Sequence, residues 1–146
     1  MKRIALLFGA LLLSACQTLT PQSTDDRLTA RPYRGYIESG GTLVPAITRF
    51  TQSDDGSMTG SYSAQEEDED EPTPGTLTQC RAVGERQLQC IWKDKYGDGK
   101  ASFVFARDYS QFFGAWTADH DASDTPGLYK WMGRQRSSCC ACGCGG

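Results

Sequence analysis

Strict two-residue alternation of apolar and polar side chains recurs through the centre of this chain and restricts what it can fold into. Leu88, Cys90 and Trp92 form one such series, Ala101, Phe103 and Phe105 a second, and Phe112, Gly114 and Trp116 a third. That is the period of a strand with one buried face; a helix would repeat its apolar positions every three to four residues. Short stretches of this kind fall near 33–39, 43–52, 57–64, 75–82, 87–93, 100–107, 111–118 and 127–134. Between them lie Ser53-Asp54-Asp55-Gly56, Tyr96-Gly97-Asp98-Gly99 and Asp124-Thr125-Pro126-Gly127, all rich in residues that tolerate turn geometry. Beyond the N-terminal segment, no stretch carries a helical apolar stripe. The expectation is an all-β domain over 33–136, an antiparallel up-and-down meander of about eight strands, closed or nearly closed as a barrel. Closure removes the exposed edges that invite aggregation. A barrel of that size is either filled by side chains or holds one small ligand. Gly35, Gly60, Gly114 and Gly133 fall inside or at the ends of these strands, where a missing side chain lets the sheet coil or a neighbouring aromatic fit.

Seven cysteines divide by position. Cys80 and Cys90 lie in the body of the domain and are natural disulfide partners in an oxidising compartment. A hairpin loop with an odd number of residues centred on Glu85 sets them directly opposite each other. A two-residue loop puts them out of register, with the bond strained or absent. We take the odd loop, in which a short closed ring contributes about 2–3 kcal/mol.

The N-terminus carries Lys2 and Arg3, then an apolar run from Ile4 to Leu13, then Leu13-Ser14-Ala15-Cys16. A charged start, a short apolar middle and small residues before a cleavage point describe a secretory signal. The apolar run is about half of the ~20 residues that span a bilayer. The four residues 13–16 resemble the lipobox of bacterial lipoproteins. The resemblance implies cleavage after residue 15 and acylation of Cys16, so that the partner is a lipid bilayer and the location the bacterial cell envelope. Gln17, where inner-membrane retention in enteric bacteria uses Asp, implies the outer membrane. Several acyl chains hold a protein firmly where one would not. Without residues 1–15 the chain has 131 residues, enough for one domain with a core of its own. It then carries 13 basic and 18 acidic residues, net −5, a balance that disfavours nucleic acid as a partner. Residues 17–32, rich in Gln, Thr, Pro, Ser and Asp, read as a flexible tether beginning after the lipidated residue.

Gly60-Ser61-Tyr62, Leu88-Gln89-Cys90-Ile91-Trp92-Lys93, Phe113-Gly114-Ala115-Trp116 and Leu128-Tyr129-Lys130-Trp131 resemble the strand patterns of avidin-like and lipocalin-like barrels. The resemblance implies architecture alone. The Asn, Ser and Thr ligands of a biotin site have no matching positions, and function does not follow from fold.

Few residues point to chemistry. Trp92, Trp116 and Trp131 sit in three of the last four strands and fill the core in the commoner arrangement. If the barrel holds a small ligand, these indoles are where we place it. Glu66 to Glu71 is an unbroken run of six carboxylates, which reads as a solvated loop held open by its own repulsion. Asp94, Asp98 and Gly99 fail the calcium-loop pattern, because Tyr96 and Phe105 occupy ligand positions. His120, between Asp119 and Asp121, has no nucleophile motif to serve, so no enzyme is expected. The tail at 137–146 holds Cys139, Cys140, Cys142 and Cys144 among glycines. Four thiols in six residues suit a soft metal, copper or zinc. Outside the cytoplasm such thiols also oxidise readily to one another. The sequence thus leads to a non-enzymatic, membrane-anchored binding or interaction module, with soft-metal binding by the tail as the alternative. No cofactor is expected apart from that metal, and the small-molecule or protein partner is left open.

Overall fold

The computed structural model describes residues 24–118 and 129–137. Within them the alternation resolves into eight strands: β1 (Tyr33–Ser39), β2 (Thr42–Gln52), β3 (Met58–Ala64), β4 (Thr73–Gly84), β5 (Gln87–Asp94), β6 (Gly97–Phe105), β7 (Gln111–Ala118) and β8 (Tyr129–Gln135). Each pairs antiparallel with its sequence neighbour, and β8 returns to β1 with Tyr33 opposite Gln135 and Ile37 opposite Trp131. The meander is therefore a closed barrel. In β6, Gly99, Ala101, Phe103 and Phe105 all turn inward while the residues between them face out. In β2 the inward set is Val44, Ala46, Thr48 and Phe50.

The connections follow local turn chemistry. Gly40 and Gly41, with φ of 57° and 82°, form a two-residue hairpin turn between β1 and β2. Such a turn needs left-handed backbone at both positions, which glycine adopts without penalty. The expected turn at Ser53–Gly56 is present, with the Asp55 carboxylate accepting from the Ser57 amide and hydroxyl. The expected turn over Tyr96–Gly99 is displaced: Gly97, Asp98 and Gly99 already belong to β6, and the chain reverses at Lys95 and Tyr96. Asp94 sets this reversal by accepting the Tyr96 amide at 2.8 Å. Asp124–Gly127 lies outside the described residues.

The disulfide between Cys80 and Cys90 is formed, with Cα atoms 4.1 Å apart, but the expected odd loop is not its cause. Gly84 pairs with Gln87, leaving Glu85 and Arg86 as a two-residue loop. Two irregularities in β4 restore the register, one between Thr78 and Arg81 and one between Ala82 and Gly84. At the first, Gln79 takes a φ of 50° and Gln79 and Cys80 together oppose Cys90. Unbroken alternation from Leu77 would turn Gln79 inward and Cys80 outward. The extra residue of a bulge reverses that phase and puts Cys80 against the core.

The tether expected over 17–32 also gives way before its end. Thr24–Thr29 form a six-residue helix, α1, whose Leu28 is buried. The Gln135 amide donates to the Arg27 and Arg31 carbonyls at 3.0 and 3.2 Å, and Arg31 donates to the Arg136 carbonyl at 2.8 Å. Helix α1 and the end of β8 thus close one end of the barrel together. Beneath them Tyr33, Phe50, Phe103, Phe105 and Phe112 pack edge to face or tilted, with neighbouring ring centroids 5.2–6.2 Å apart. The Tyr33 hydroxyl donates to the Tyr109 carbonyl at 2.7 Å, so even the polar tip of this cluster is satisfied.

Candidate functional site

At the opposite end of the barrel a cavity of about 190 Å³ lies among the far ends of the strands, between the β1–β2, β3–β4 and β5–β6 connections. Trp92, Trp116 and Trp131 all line it, so the three indoles singled out in the sequence do converge. Trp131, almost fully buried, is the floor. Its ring meets Tyr62 edge-on at 4.7 Å and Phe103 at 5.1 Å, joining the cavity to the aromatic core below. Trp92 and Trp116 stand as two walls in a T-shaped pair, centroids 5.0 Å apart, and Trp116 is stacked on Tyr129 from behind.

Trp92 reaches its position because glycine leaves room. Gly99 sits opposite Trp92 in the ladder, and a Cβ there would strike the Thr117 carbonyl and come within 2.8 Å of the indole nitrogen. Without it, Trp92 crosses β6 and donates Nε1–H to the Thr117 carbonyl at 2.9 Å. Trp116 donates to the Glu38 carbonyl at 3.1 Å and Trp131 to the Thr48 hydroxyl at 3.0 Å. All three N–H groups are thereby used within the protein. The walls offer ring faces and carbon edges to an occupant, not donors.

The polar groups are fewer and of one sign. Tyr62 donates to Asp94 Oδ2 at 2.8 Å, and burial together with that carboxylate pushes its hydroxyl well above the ordinary tyrosine range. Glu66 Oε1 accepts from the Ser39 hydroxyl at 3.2 Å. Tyr96, 53% exposed, forms the lip. Thr73 is 3% exposed and lines the cavity; its hydroxyl oxygen, itself closed off from solvent, has no hydrogen-bond partner among the described residues. Buried polar atoms are nearly always satisfied, and an orphan costs about 1–3 kcal/mol. Asp94 and Glu66 are half-buried, and no Lys or Arg is among the described lining residues. The ammonium of Lys95, next in sequence to Asp94, is turned to Glu69 at 2.7 Å and lies over the Tyr96 ring.

Tyr62, Glu66, Thr73 and Asp94 were not marked as site residues by the sequence. Glu66 belongs to the acidic run, which is only partly a free solvated loop: Glu66 and Glu69 are held by Ser39 and Lys95. Asp94 and Thr73 lie at strand ends beside the mouth, a position that shows only once the strand boundaries are fixed. Cys16, His120, Cys139, Cys140, Cys142 and Cys144 lie outside the described residues. Among the described residues no group of three metal-ligating side chains converges.

The chain shows no significant similarity to any protein-family model, curated protein or solved structure.

Proposed function

We propose that this chain is a lipid-anchored protein of the bacterial envelope that binds a small ligand, without catalysis, in the cavity walled by Trp92, Trp116 and Trp131. The observation that carries the reading is the cavity itself, on which Trp92, Trp116 and Trp131 converge from three different strands together with Asp94 and Glu66. A preformed apolar pocket with a few placed polar groups is the ordinary form of a small-molecule site. At about 190 Å³ the space is below the ~300 Å³ at which drug-sized pockets begin, so it suits a compact molecule or the head of a larger one.

The lipobox-like Leu13-Ser14-Ala15-Cys16 supports the anchor. The chain joins the barrel through α1, at the end opposite the cavity, which supports a mouth directed away from the bilayer. Two measurements test the proposal. Intact mass of protein extracted from membranes should show acyl chains on Cys16, and a Cys16→Ser variant should leave the membrane fraction. Tryptophan fluorescence titrated with a broad panel of compact apolar and amphiphilic molecules should give a saturable change, lost in Trp116→Ala. Absence of any saturable response across the panel overturns the binding reading.

A further inference from the structure

Resting on the reading of the cavity as a ligand site, we infer that its occupant is a compact organic cation, a protonated amine carried on an apolar body. Three features of the lining agree. The walls are the rings of Trp92, Trp116, Trp131 and Tyr62, whose own N–H and O–H groups are already used. Aromatic faces carry negative potential and attract cations, more strongly where water is excluded.

The charges are one-sided. Asp94 and Glu66 both line the cavity, and neither forms an ion pair with a cationic side chain among the described residues. Their donors are neutral: the Tyr62 hydroxyl and the Tyr96 amide, one on each oxygen of Asp94, and the Ser39 hydroxyl on Glu66. Half-buried carboxylates held this way keep lone pairs for an incoming positive group, and an unneutralised charge against an aromatic wall is costly. The remaining acids of Glu66–Glu71 flank the mouth on the β3–β4 connection and extend the attraction outward.

The carboxylates also select the kind of cation, because an ammonium bearing N–H can donate to Asp94 and Glu66 and a fully alkylated nitrogen cannot. An anionic occupant would face Asp94 and Glu66 with no cation among the described lining residues to offset them. A neutral one would leave both carboxylates unanswered.

Three probes of one shape separate these cases: benzylamine (cationic at neutral pH), benzyl alcohol (neutral) and benzoate (anionic), titrated calorimetrically into the full chain. Benzylamine should bind at least about tenfold more tightly than benzyl alcohol, and benzoate should not bind. Added salt should narrow the first gap. Asp94→Asn keeps an oxygen for the Tyr62 hydroxyl and should weaken benzylamine roughly tenfold with benzyl alcohol unchanged. Glu66→Gln, further from the fold's core, serves where Asp94→Asn lowers the melting temperature. Equal binding of amine and alcohol, or tighter binding of benzoate, overturns the cation inference and leaves the cavity reading standing. If none of the three binds saturably, the cavity reading falls with it.

Discussion

The two ends of the barrel are built from the same strands and the same alternation, yet at one the inward rings pack against each other and at the other the indoles wall a cavity. At the closed end Tyr33, Phe50, Phe105 and Phe112 meet ring to ring, Leu28 of α1 covers them, and the one hydroxyl present is bonded to a backbone carbonyl. At the open end the inward residues are larger in outline but do not fill the space. Trp92 leans over Gly99 toward β7 and meets Trp116 edge to face, Trp116 reaches toward β1, and a cavity is left beside the pair. Packing at native density leaves few voids larger than a water, so a cavity beside a well-filled core is a feature of the sequence and not of the fold. The closed end stores the stability; the open end forgoes some of it.

That contrast breaks first if the closed end is not where the stability lies. Phe50→Ala removes a ring in contact with Tyr33, Phe103, Phe105 and Phe112 and should cost about 3–5 kcal/mol in chemical denaturation. Trp116→Ala, at the half-open wall, should cost clearly less, since part of its surface already faces the cavity. Equal losses at both ends would erase the distinction. The staple belongs to the closed half too, on the hairpin whose loop is Glu85 and Arg86. Replacing Cys80 and Cys90 together by Ala should lower stability by about 2–3 kcal/mol with ligand binding retained.

The tyrosines sharpen the comparison through pH. Tyr33 at the closed end and Tyr62 at the cavity both have hydroxyls held above the ordinary value near 10, burial being the largest cause in each. For Tyr62 the hydrogen bond to Asp94 adds to it, and for Tyr33 the second cause is Tyr109. The folded state therefore holds these protons more tightly than the unfolded chain. Their contribution is complete below pH 10 and is lost as pH rises above it, at roughly 1.4 kcal/mol per pH unit for each tyrosine. Thermal midpoints should be flat to about pH 9 and fall beyond pH 10. Tyr33→Phe and Tyr62→Phe should each make the fall shallower, and a slope unchanged by both substitutions would remove the tyrosines as its cause.

How much of this the sequence disclosed follows from which interactions are periodic. The strands were legible because burial on one face writes a period of two into the chain, as at Leu88, Cys90 and Trp92. The same phase, carried through Phe112, Gly114 and Trp116, already aimed two of the tryptophans inward. The bulge at Gln79 and Cys80 breaks that period and leaves no residue-type signature, so the disulfide pair was found and its mechanism was not. Helix α1 offers one buried apolar residue, Leu28, in six positions, too few to register as a stripe. The site was legible only in its indoles. Thr73, Asp94 and Glu66 come from separate strand ends and one loop, and only the closed topology brings them to one mouth.

Thr73 provides the smallest effect and the most direct contrast between the two ends. Among the described residues its hydroxyl is buried without a partner, whereas the Tyr33 hydroxyl at the closed end is bonded. Thr73→Val keeps the shape and replaces the hydroxyl by a methyl group, so the desolvation cost of the orphan disappears. The variant should be more stable than the parent by about 1 kcal/mol, against the usual tendency of buried substitutions to destabilise. The same variant should bind an amine as the parent does, because the hydroxyl oxygen has almost no surface open to the cavity. Were Thr73→Val to lose stability, the hydroxyl would have a partner within the folded protein, and the open end would be held together by the same means as the closed one.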